Sequence, residues 1–392
     1  MKWRPLYISD LLEEQGINAQ RKMSTKVLAD VVEALIGAAF VDGGFEKALK
    51  CLKVFLPEIA WQSRQFSNDA LYEAAMVGVP IPTYFDDLEQ LIGYKFTKKS
   101  LLVEAMTHPS FEAQPHPASY QRLEFLGDSV LDFVVVTKIF GHHSELSHVQ
   151  MHLARSALVN ADFLAFLCME SAVELDVNDV VEDENTRTFH TVEKKASKQI
   201  WRFMRHHSQE VMRAQSASVK RYTLLRDDIW DALTSGTSYP WAKLRRLEAN
   251  KFFSDIIESI VGAIYVDSHG DFGACGAFTE RVGILPYLRR ILNSDGDDEI
   301  RLLHPKEQLG QLAQSDKVKY VIGLETDEDS ASSGSPPRKK RRHVCKVLIK
   351  GEEVAAVGDG WSREEVQTKA AEEAVGVLLS RRKAAEAGML MM

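Results

Sequence analysis

Two pairs of acidic residues lie inside otherwise apolar stretches of the sequence. One pair is Glu124 with Asp128, in a stretch that reads LEFLGDSVLDF, and the other is Asp255 with Glu258, in a stretch that reads FFSDIIESIVG. Residues three or four apart share one face of a helix. Each pair therefore puts two carboxylates on one helix face, where burial among apolar side chains is costly unless a cation compensates them.

Brought face to face, the two pairs would form a cluster of carboxylate oxygens. Four anions cannot stay close together uncompensated, and an oxygen-only set of ligands suits Mg²⁺ or Mn²⁺ rather than zinc. Two such ions ~3.5–4 Å apart activate water and stabilise the leaving oxygen in phosphodiester hydrolysis, so that no separate protein base is needed. The sequence therefore predicts a two-metal site; the competing interpretation is that each pair forms structural caps or salt bridges.

The second acidic stretch has an earlier copy in KVLADVVEALIGAAFVDGG, residues 26–44. Its charged residues and one glycine recur in register: Lys26 with Lys251, Asp30 with Asp255, Glu33 with Glu258 and Gly37 with Gly262. This recurrence within an apolar helix indicates an internal duplication, and two copies indicate paired domains rather than a solenoid. Ser24 or Thr25 is predicted to cap the first copy, and Gly43–Gly44 to end it.

The composition predicts an intracellular protein without a membrane segment. No apolar run reaches the ~20 residues that cross a bilayer. The four cysteines lie far apart, which suits neither a disulfide framework nor a zinc site. Because the net charge is −8, binding to nucleic acid must come from local basic patches or from metal ions held at acidic sites.

The order of elements predicts two related helical units. Residues 1–75 are interpreted as the C-terminal part of the first unit, because no LEFLGD-like segment precedes Lys26. Residues 84–290 are predicted to form the second, complete unit. It is interrupted at about 176–250 by a segment that is first acidic and loop-like and then basic and helical.

A third, smaller domain with the order α-β-β-β-α is predicted over residues 300–380. It contains a flexible insertion at about 326–342, rich in Asp, Ser, Gly and Pro. The insertion ends in RKKRR, residues 338–342, which is interpreted either as a nuclear-import signal or as phosphate-binding residues, besides a plain solvated charge run. A hairpin turn is predicted at Lys350–Glu352, followed by a closing helix.

Several motifs resemble the ribonuclease III family. QRLEFLGDSVLDF resembles its signature, and the stretch around Asp255 and Glu258 resembles its second acidic motif. Thr107–Phe111 (THPSF) and Arg155–Asn160 (RSALVN) are similar to two further family segments. Two units in one chain, together with Gln121, resemble the Dicer branch of the family, more closely fungal Dicer-like proteins. The smaller domain resembles a double-stranded-RNA-binding domain, which reads A-form shape through phosphates and 2′-hydroxyls.

The resemblance implies a mainly α fold: all-helical ribonuclease III endonuclease domains, the first partial, plus a small C-terminal double-stranded-RNA-binding-like domain. It implies two Mg²⁺ or Mn²⁺ ions in the complete site. The implied catalytic residues and metal ligands are Glu124, Asp128, Asp255 and Glu258, with Asp30 and Glu33 as metal ligands in the partial unit. The implied RNA-binding residues are Lys251, for which surface packing is an equal alternative, and Lys369, which is surrounded by Glu364, Glu365, Glu372 and Glu373.

The function implied by the resemblance is that of a Dicer-like endoribonuclease. It would cleave double-stranded RNA by two-metal hydrolysis and make short RNAs for RNA silencing and antiviral defence. The chain resembles the C-terminal part of such an enzyme, so one complete site is expected to nick one strand. The expected partners are double-stranded RNA and a second copy of the chain, with no membrane, in the cytoplasm or nucleus. The alternative is a non-catalytic double-stranded-RNA-binding or partner protein derived from a truncated Dicer.

Overall fold

Helices make up most of the structure and the strands form small antiparallel sheets, so the mainly α fold predicted from the sequence is confirmed. The structure is a computed structural model that describes residues 7–11, 18–22, 24–112, 118–142, 146–182, 189–294, 299–314, 316–328 and 339–390. The chain divides into two units, Met1–Ala75 and Met76–Met392. In the described part of the chain, no helix combines the length and the apolar character needed to cross a membrane.

The first unit is built on one long helix that begins where the sequence predicts. Its elements are β1 (Tyr7–Leu11), β2 (Asn18–Lys22), α1 (Thr25–Phe55) and α2 (Arg64–Glu73), with β1 and β2 antiparallel. The Ser24 hydroxyl caps α1 by accepting a hydrogen bond from the Val27 amide at 3.3 Å. At Gly43 and Gly44 the backbone leaves the helical conformation, so α1 consists of two helices that meet at a kink, and the first of them ends where the sequence predicts.

The second unit contains a helical core centred on one buried helix. Its first elements are α3 (Phe85–Ile92), α4 (Lys99–Ala105), α5 (Gln121–Phe140), α6 (His148–Leu158), α7 (Ala161–Glu170), β3 (Ala172–Glu182) and β4 (Phe189–Gln199). They are followed by α8 (Gln209–Ser235), α9 (Trp241–Arg246), α10 (Phe252–Asp267), α11 (Phe272–Arg281) and α12 (Ile284–Leu292). Every side chain of α10 is buried, because α4, α5, α7 and α11 pack around it.

Two glycines allow α5 and α10 to cross in backbone contact. A Cβ atom at Gly127 of α5 would lie 2.7 Å from the carbonyl carbon of Glu258 and 2.8 Å from the amide nitrogen of Gly262. A Cβ atom at Gly262 would in turn lie 3.0 Å from the carbonyl carbon of Leu123. Close-packed atoms cannot approach so closely, so the crossing requires that both helices lack a side chain at this point.

The duplicated helices α1 and α10 differ in their surroundings. Whereas α10 is buried throughout, Ala48 is the one buried side chain of α1. Val31 and Leu35, which match two buried isoleucines of α10, are exposed. Among the described residues, no atom lies within 4 Å of a Cβ placed at Gly37, although the matching Gly262 abuts α5. The same sequence pattern is therefore buried or exposed according to the helices beside it.

The insertion before α10 starts as a β-hairpin, so the prediction of an acidic loop followed by a basic helix over about 176–250 was wrong in its first half. β3 and β4 pair antiparallel along their whole length. The lysines within residues 194–198 therefore lie on a strand, and the helix begins only at Gln209. The alternation of Val173, Leu175 and Val177 with polar residues has the period of a strand and explains the difference.

The C-terminal part of the second unit has the predicted order α-β-β-β-α. Its elements are α13 (Pro305–Ala313), β5 (Val318–Glu328), β6 (Lys339–Ile349), β7 (Glu352–Gly360) and α14 (Arg363–Leu390), with sheet order β5-β6-β7. The predicted turn is confirmed: Lys350 and Gly351 have φ of 56° and 89°, as a two-residue hairpin turn requires. Leu309, Val347 and Val366 belong to the buried core between helices and sheet.

The prediction of a flexible insertion at about 326–342 was wrong at both ends, where the chain forms strands. β5 continues to Glu328 and β6 starts at Lys339, so most of the basic run lies on a paired strand; residues 329–338 lie outside the described residues. Across the two strands the register sets Glu325 opposite Arg342, Asp327 opposite Lys340 and Glu328 opposite Lys339. In the backbone register, acidic positions of β5 therefore lie opposite basic positions of β6.

We expect Gly262→Ala to destabilise the second unit, because its Cβ would push α10 away from α5. The expected loss in free energy of unfolding is about 3 kcal/mol, measured by urea unfolding. Gly37→Ala at the matching position of α1 is the control, and it should stabilise its helix by ~0.5–1 kcal/mol because the new methyl meets open space. Equal losses in the two variants would contradict the role assigned to the glycine crossing.

Candidate active site

Three of the four predicted catalytic carboxylates meet where α5 and α10 cross. Oxygen atoms of Glu124, Asp255 and Glu258 all lie within 4.8 Å of one another. Asp255 and Glu258 are buried, and Glu124 is partly buried. Within the described ranges, this is the only group of three or more acidic, histidine or cysteine side chains with such geometry. The glycine crossing thus joins two acidic pairs that are far apart in the sequence.

Asp128 lies beside this group and not within it. It is exposed and does not belong to the set of residues whose oxygens lie within 4.8 Å of one another. Its charge still acts on the group, because after burial it is the largest cause of the raised pKa of Glu258. Asp132, one turn further along α5, accepts a hydrogen bond from Arg155 Nε at 2.8 Å and so has a structural partner outside the group.

One lysine bridges the acidic residues of the two helices. Lys251, the residue before α10, donates from Nζ to Glu124 Oε1 at 2.6 Å and also to Asp255 Oδ1. Burial is the largest single influence and lowers the pKa of Lys251, but the hydrogen bonds to the two carboxylates together raise it above its usual range. The ammonium therefore stays charged. Lys26, the matching residue of the first unit, is exposed.

Tyr120, which the sequence reasoning did not single out, holds Asp255 from another side. Its buried hydroxyl donates to Asp255 Oδ2 at 3.1 Å. Its amide donates to the Thr107 carbonyl at 2.9 Å, and its ring lies edge-on to His108 at a centroid distance of 5.8 Å. The THPSF segment therefore positions Tyr120, which orients Asp255. The available sequence signal was the place of Tyr120 directly before QRLEFLGD.

Glu258 is a buried carboxylate that has no cation paired with it. Among the described residues it accepts no hydrogen bond and forms no ion pair; burial, and then the charges of Asp128 and Asp255, raise its pKa to about 8. The three clustered carboxylates, with Asp128 beside them, share the single ammonium of Lys251, so negative charge remains uncompensated. Hard divalent cations prefer such oxygen-only donors, and the residues therefore fit a divalent metal ion.

The other predicted site residues lie elsewhere. Asp30 and Glu33 are exposed on α1 in the first unit, and their role as metal ligands stays a prediction. Lys369 lies on α14, where its Nζ donates to Asp359 Oδ1 at 2.7 Å.

Family comparisons agree with this geometry. The profile of the Ribonuclease III domain matches residues 121–269. This range contains α5 and α10, which carry the four acidic residues. Residues 121–269 therefore match the ribonuclease III family. A second profile, described as the Dicer-like protein 2 dsRNA binding domain, matches residues 298–389, a range that covers nearly all of the α-β-β-β-α elements.

Similar proteins include fungal Dicer-like proteins. The chain is 44% identical over 389 residues to Dicer-like protein 2 of Coccidioides immitis and 42% identical over 394 residues to that of Cryphonectria parasitica. These alignments cover 98% and 96% of this chain but 26% of each relative, so the chain spans about a quarter of their length. The nuclease domain of ribonuclease III from Campylobacter jejuni is 22% identical, covering 50% of this chain and 94% of that one, with a TM-score of 0.32, too low to support a structural argument.

We expect Glu258→Gln to stabilise the metal-free ribonuclease III domain increasingly as pH rises. The folded pKa of Glu258 is raised to about 8, above the ~4.3 of an unfolded chain, so its ionisation destabilises the folded state from about pH 5 upward. The gain in unfolding free energy should grow by up to ~1.4 kcal/mol per pH unit until about pH 8. Thermal unfolding in EDTA at several pH values measures it.

Glu33→Gln at the matching, exposed position of α1 is the control for this variant, and it should show no such pH trend. Mn²⁺ should raise the melting temperature of the wild-type chain more than that of Glu258→Gln, because a ligand that binds only the folded state stabilises it. A pH trend of the same size in both variants would contradict the burial argument.

We expect Tyr120→Phe to weaken Mn²⁺ binding by about 10–100-fold, as loss of a group that orients a metal ligand usually does. Mn²⁺ binding followed by electron paramagnetic resonance measures the change directly. Tyr94→Phe is the matched control, because it removes another tyrosine hydroxyl that donates to a carboxylate, here Asp267 at 2.9 Å. Equal losses of metal affinity in the two variants would show that Tyr120 has no special role in positioning Asp255.

Proposed function

We propose that this chain is an endoribonuclease that uses divalent metal ions to hydrolyse phosphodiester bonds of double-stranded RNA. One observation carries the proposal: Glu124, Asp255 and Glu258 converge inside the part of the chain that matches the Ribonuclease III domain. Burying several acids together is costly, and such perturbed groups cluster at functional sites. The resemblance to Dicer extends the proposal to the production of short RNAs for RNA silencing and antiviral defence.

In this proposal the carboxylates of α5 and α10 would hold two Mg²⁺ or Mn²⁺ ions. When bound, such a pair supplies an activated water and stabilises the leaving oxygen of the phosphodiester. The proposed ligands are Glu124, Asp128, Asp255 and Glu258. Tyr120 keeps Asp255 in place, and the largely exposed Lys251 side chain sets an ammonium at the edge of the group, where it can contact an RNA phosphate.

We also propose that two copies of the chain pair through apolar residues on α5. Phe125 and Phe140 are 80% and 63% exposed, and exposed large apolar groups on the helix that carries Glu124 suit a protein interface. Pairing would set two complete sites on one RNA duplex, each acting on one strand. A single chain would nick one strand.

For the domain limits and the location in the cell, our proposals follow the sequence. Residues 84–290 form the nuclease domain, which includes the range 121–269 matched by the first profile, and residues 300–380 form the RNA-binding domain, which lies within the range 298–389 matched by the second. The protein works in the cytoplasm or nucleus, with RKKRR at residues 338–342 as the proposed import signal.

The purified chain is expected to cleave a labelled RNA duplex in the presence of Mg²⁺. Glu258→Ala should reduce cleavage to background, because the site loses a buried ligand. Lys251→Ala should slow it by about a hundredfold, the usual loss when one charge-stabilising donor is removed. Lys26→Ala, at the matching exposed position of α1, is the control and should leave the rate within twofold.

Each outcome tests a different part of the proposal. Absence of Mg²⁺-dependent cleavage by the intact chain would contradict the nuclease function and favour the non-catalytic alternative. Cleavage that survives in Glu258→Ala would contradict the site assignment. With the two RNA strands labelled separately, nicks at low protein concentration and paired cuts at high concentration are expected; paired cuts that do not depend on concentration would contradict the homodimer.

A further inference from the structure

We propose that the surface of the C-terminal domain expected to bind RNA docks instead on the nuclease domain of the same chain. This surface, the docking face, lies at the end of β7 and the first turns of α14 and comprises Asp359, Trp361, Glu364, Glu365 and Lys369. The inference rests on the proposed function as an RNA-binding nuclease. It states which part of the C-terminal domain serves protein contact and is not needed for contact with the RNA duplex.

Arg245 of α9 connects the nuclease core to the docking face. Its Nη1 lies 3.2 Å from Asp162 Oδ2, at the first turn of α7. Its Nη2 is paired with Glu364 at the start of α14. One guanidinium thus binds a carboxylate of each domain, a use for which the planar, multi-donor arginine side chain is well suited.

Arg246, the next residue of α9, contacts three residues of the docking face. Its guanidinium lies over the Trp361 ring, 4.8 Å from the centroid. Its Nη2 is 3.5 Å from Asp359 Oδ2 and its Nε is 4.0 Å from Glu365 Oε1. The Arg246 side chain is 25% exposed and that of Glu365 is 1% exposed, and partial removal from water strengthens both the ion pairs and the cation–π contact.

A second set of contacts fixes the start of the C-terminal domain to the nuclease domain. The Tyr239 amide donates to the Arg301 carbonyl at 2.9 Å, and the Arg301 amide donates to the Thr237 carbonyl at 3.0 Å. The Trp241 indole donates to the Leu302 carbonyl at 3.0 Å. The C-terminal domain is therefore held at two separate places, which favours one fixed orientation.

The charges of the docking face suit a basic protein surface better than a phosphate backbone. Lys369 is 30% exposed, and Asp359 neutralises it at 2.7 Å. The acidic residues of the first turns of α14 repel phosphates, but they complement the basic residues of α9. Such electrostatic complementarity favours α9 as the partner and fixes how the two surfaces are aligned. The basic residues of α9 are Lys243, Arg245 and Arg246.

The first test asks whether RNA binding needs Lys369. Duplex RNA binding by the full chain, measured by fluorescence anisotropy without divalent ions, should change less than twofold in Lys369→Ala. Arg381→Ala, an exposed basic residue further along the same helix, is the matched control. A loss of tenfold or more in Lys369→Ala alone would overturn the proposal, because the docking face would then be the RNA surface.

The second test measures docking without RNA. Arg246→Glu should speed hydrogen exchange of α9 and the start of α14 at least tenfold, and adding Asp359→Arg should restore most of the protection by reversing the pair. Unchanged exchange in Arg246→Glu, or no recovery in the double variant, would overturn the docking. A chain that binds no duplex RNA would contradict the proposed function instead, and hydrogen exchange would still decide the docking.

Discussion

The backbone contact between α5 and α10 is the constraint on which the rest of the site depends. Gly127 and Gly262 allow two helices to cross without any side chain between them. The acidic residues near these glycines therefore lie close together. At such distances their mutual repulsion must be balanced by bound cations or by positively charged side chains. A larger residue at either glycine would separate the acids and also open the core around α10, so the fold and the chemistry share a single contact.

The concentrated negative charge is relieved unevenly among the carboxylates. Asp255 receives both the Lys251 ammonium and the Tyr120 hydroxyl, and Glu124 receives the same lysine. Glu258 has neither, and its raised pKa records that deficit. The protein thus balances most of the charge with its own groups and leaves one buried acid to be neutralised by a proton or by a metal ion. Such partial compensation suits a site that folds without a metal ion and can still bind a divalent cation.

Spacing and internal repetition made the acidic helices predictable from sequence, because both signals are local. Glu124, Asp255 and Glu258 could be named as one group, but the position of Asp128 outside it depends on how two helices cross. In the inserted hairpin the prediction was wrong: the lysine-rich segment was expected to form a helix, but it pairs as a strand, and strand pairing depends on contacts that are not local in sequence. The contacts of Tyr120 and of Arg246 join residues far apart in the chain, so they cannot be predicted from the periodicity of the sequence.

The pairing of β5 with β6 has a consequence for how the basic run at the start of β6 can be recognised. A receptor that bound this run as an extended peptide would need a backbone free of other partners. Here the backbone of the segment from Lys339 is extended, but it is paired with β5. Binding of such a receptor would require this end of the hairpin to open, and its affinity would therefore depend on a local unfolding equilibrium.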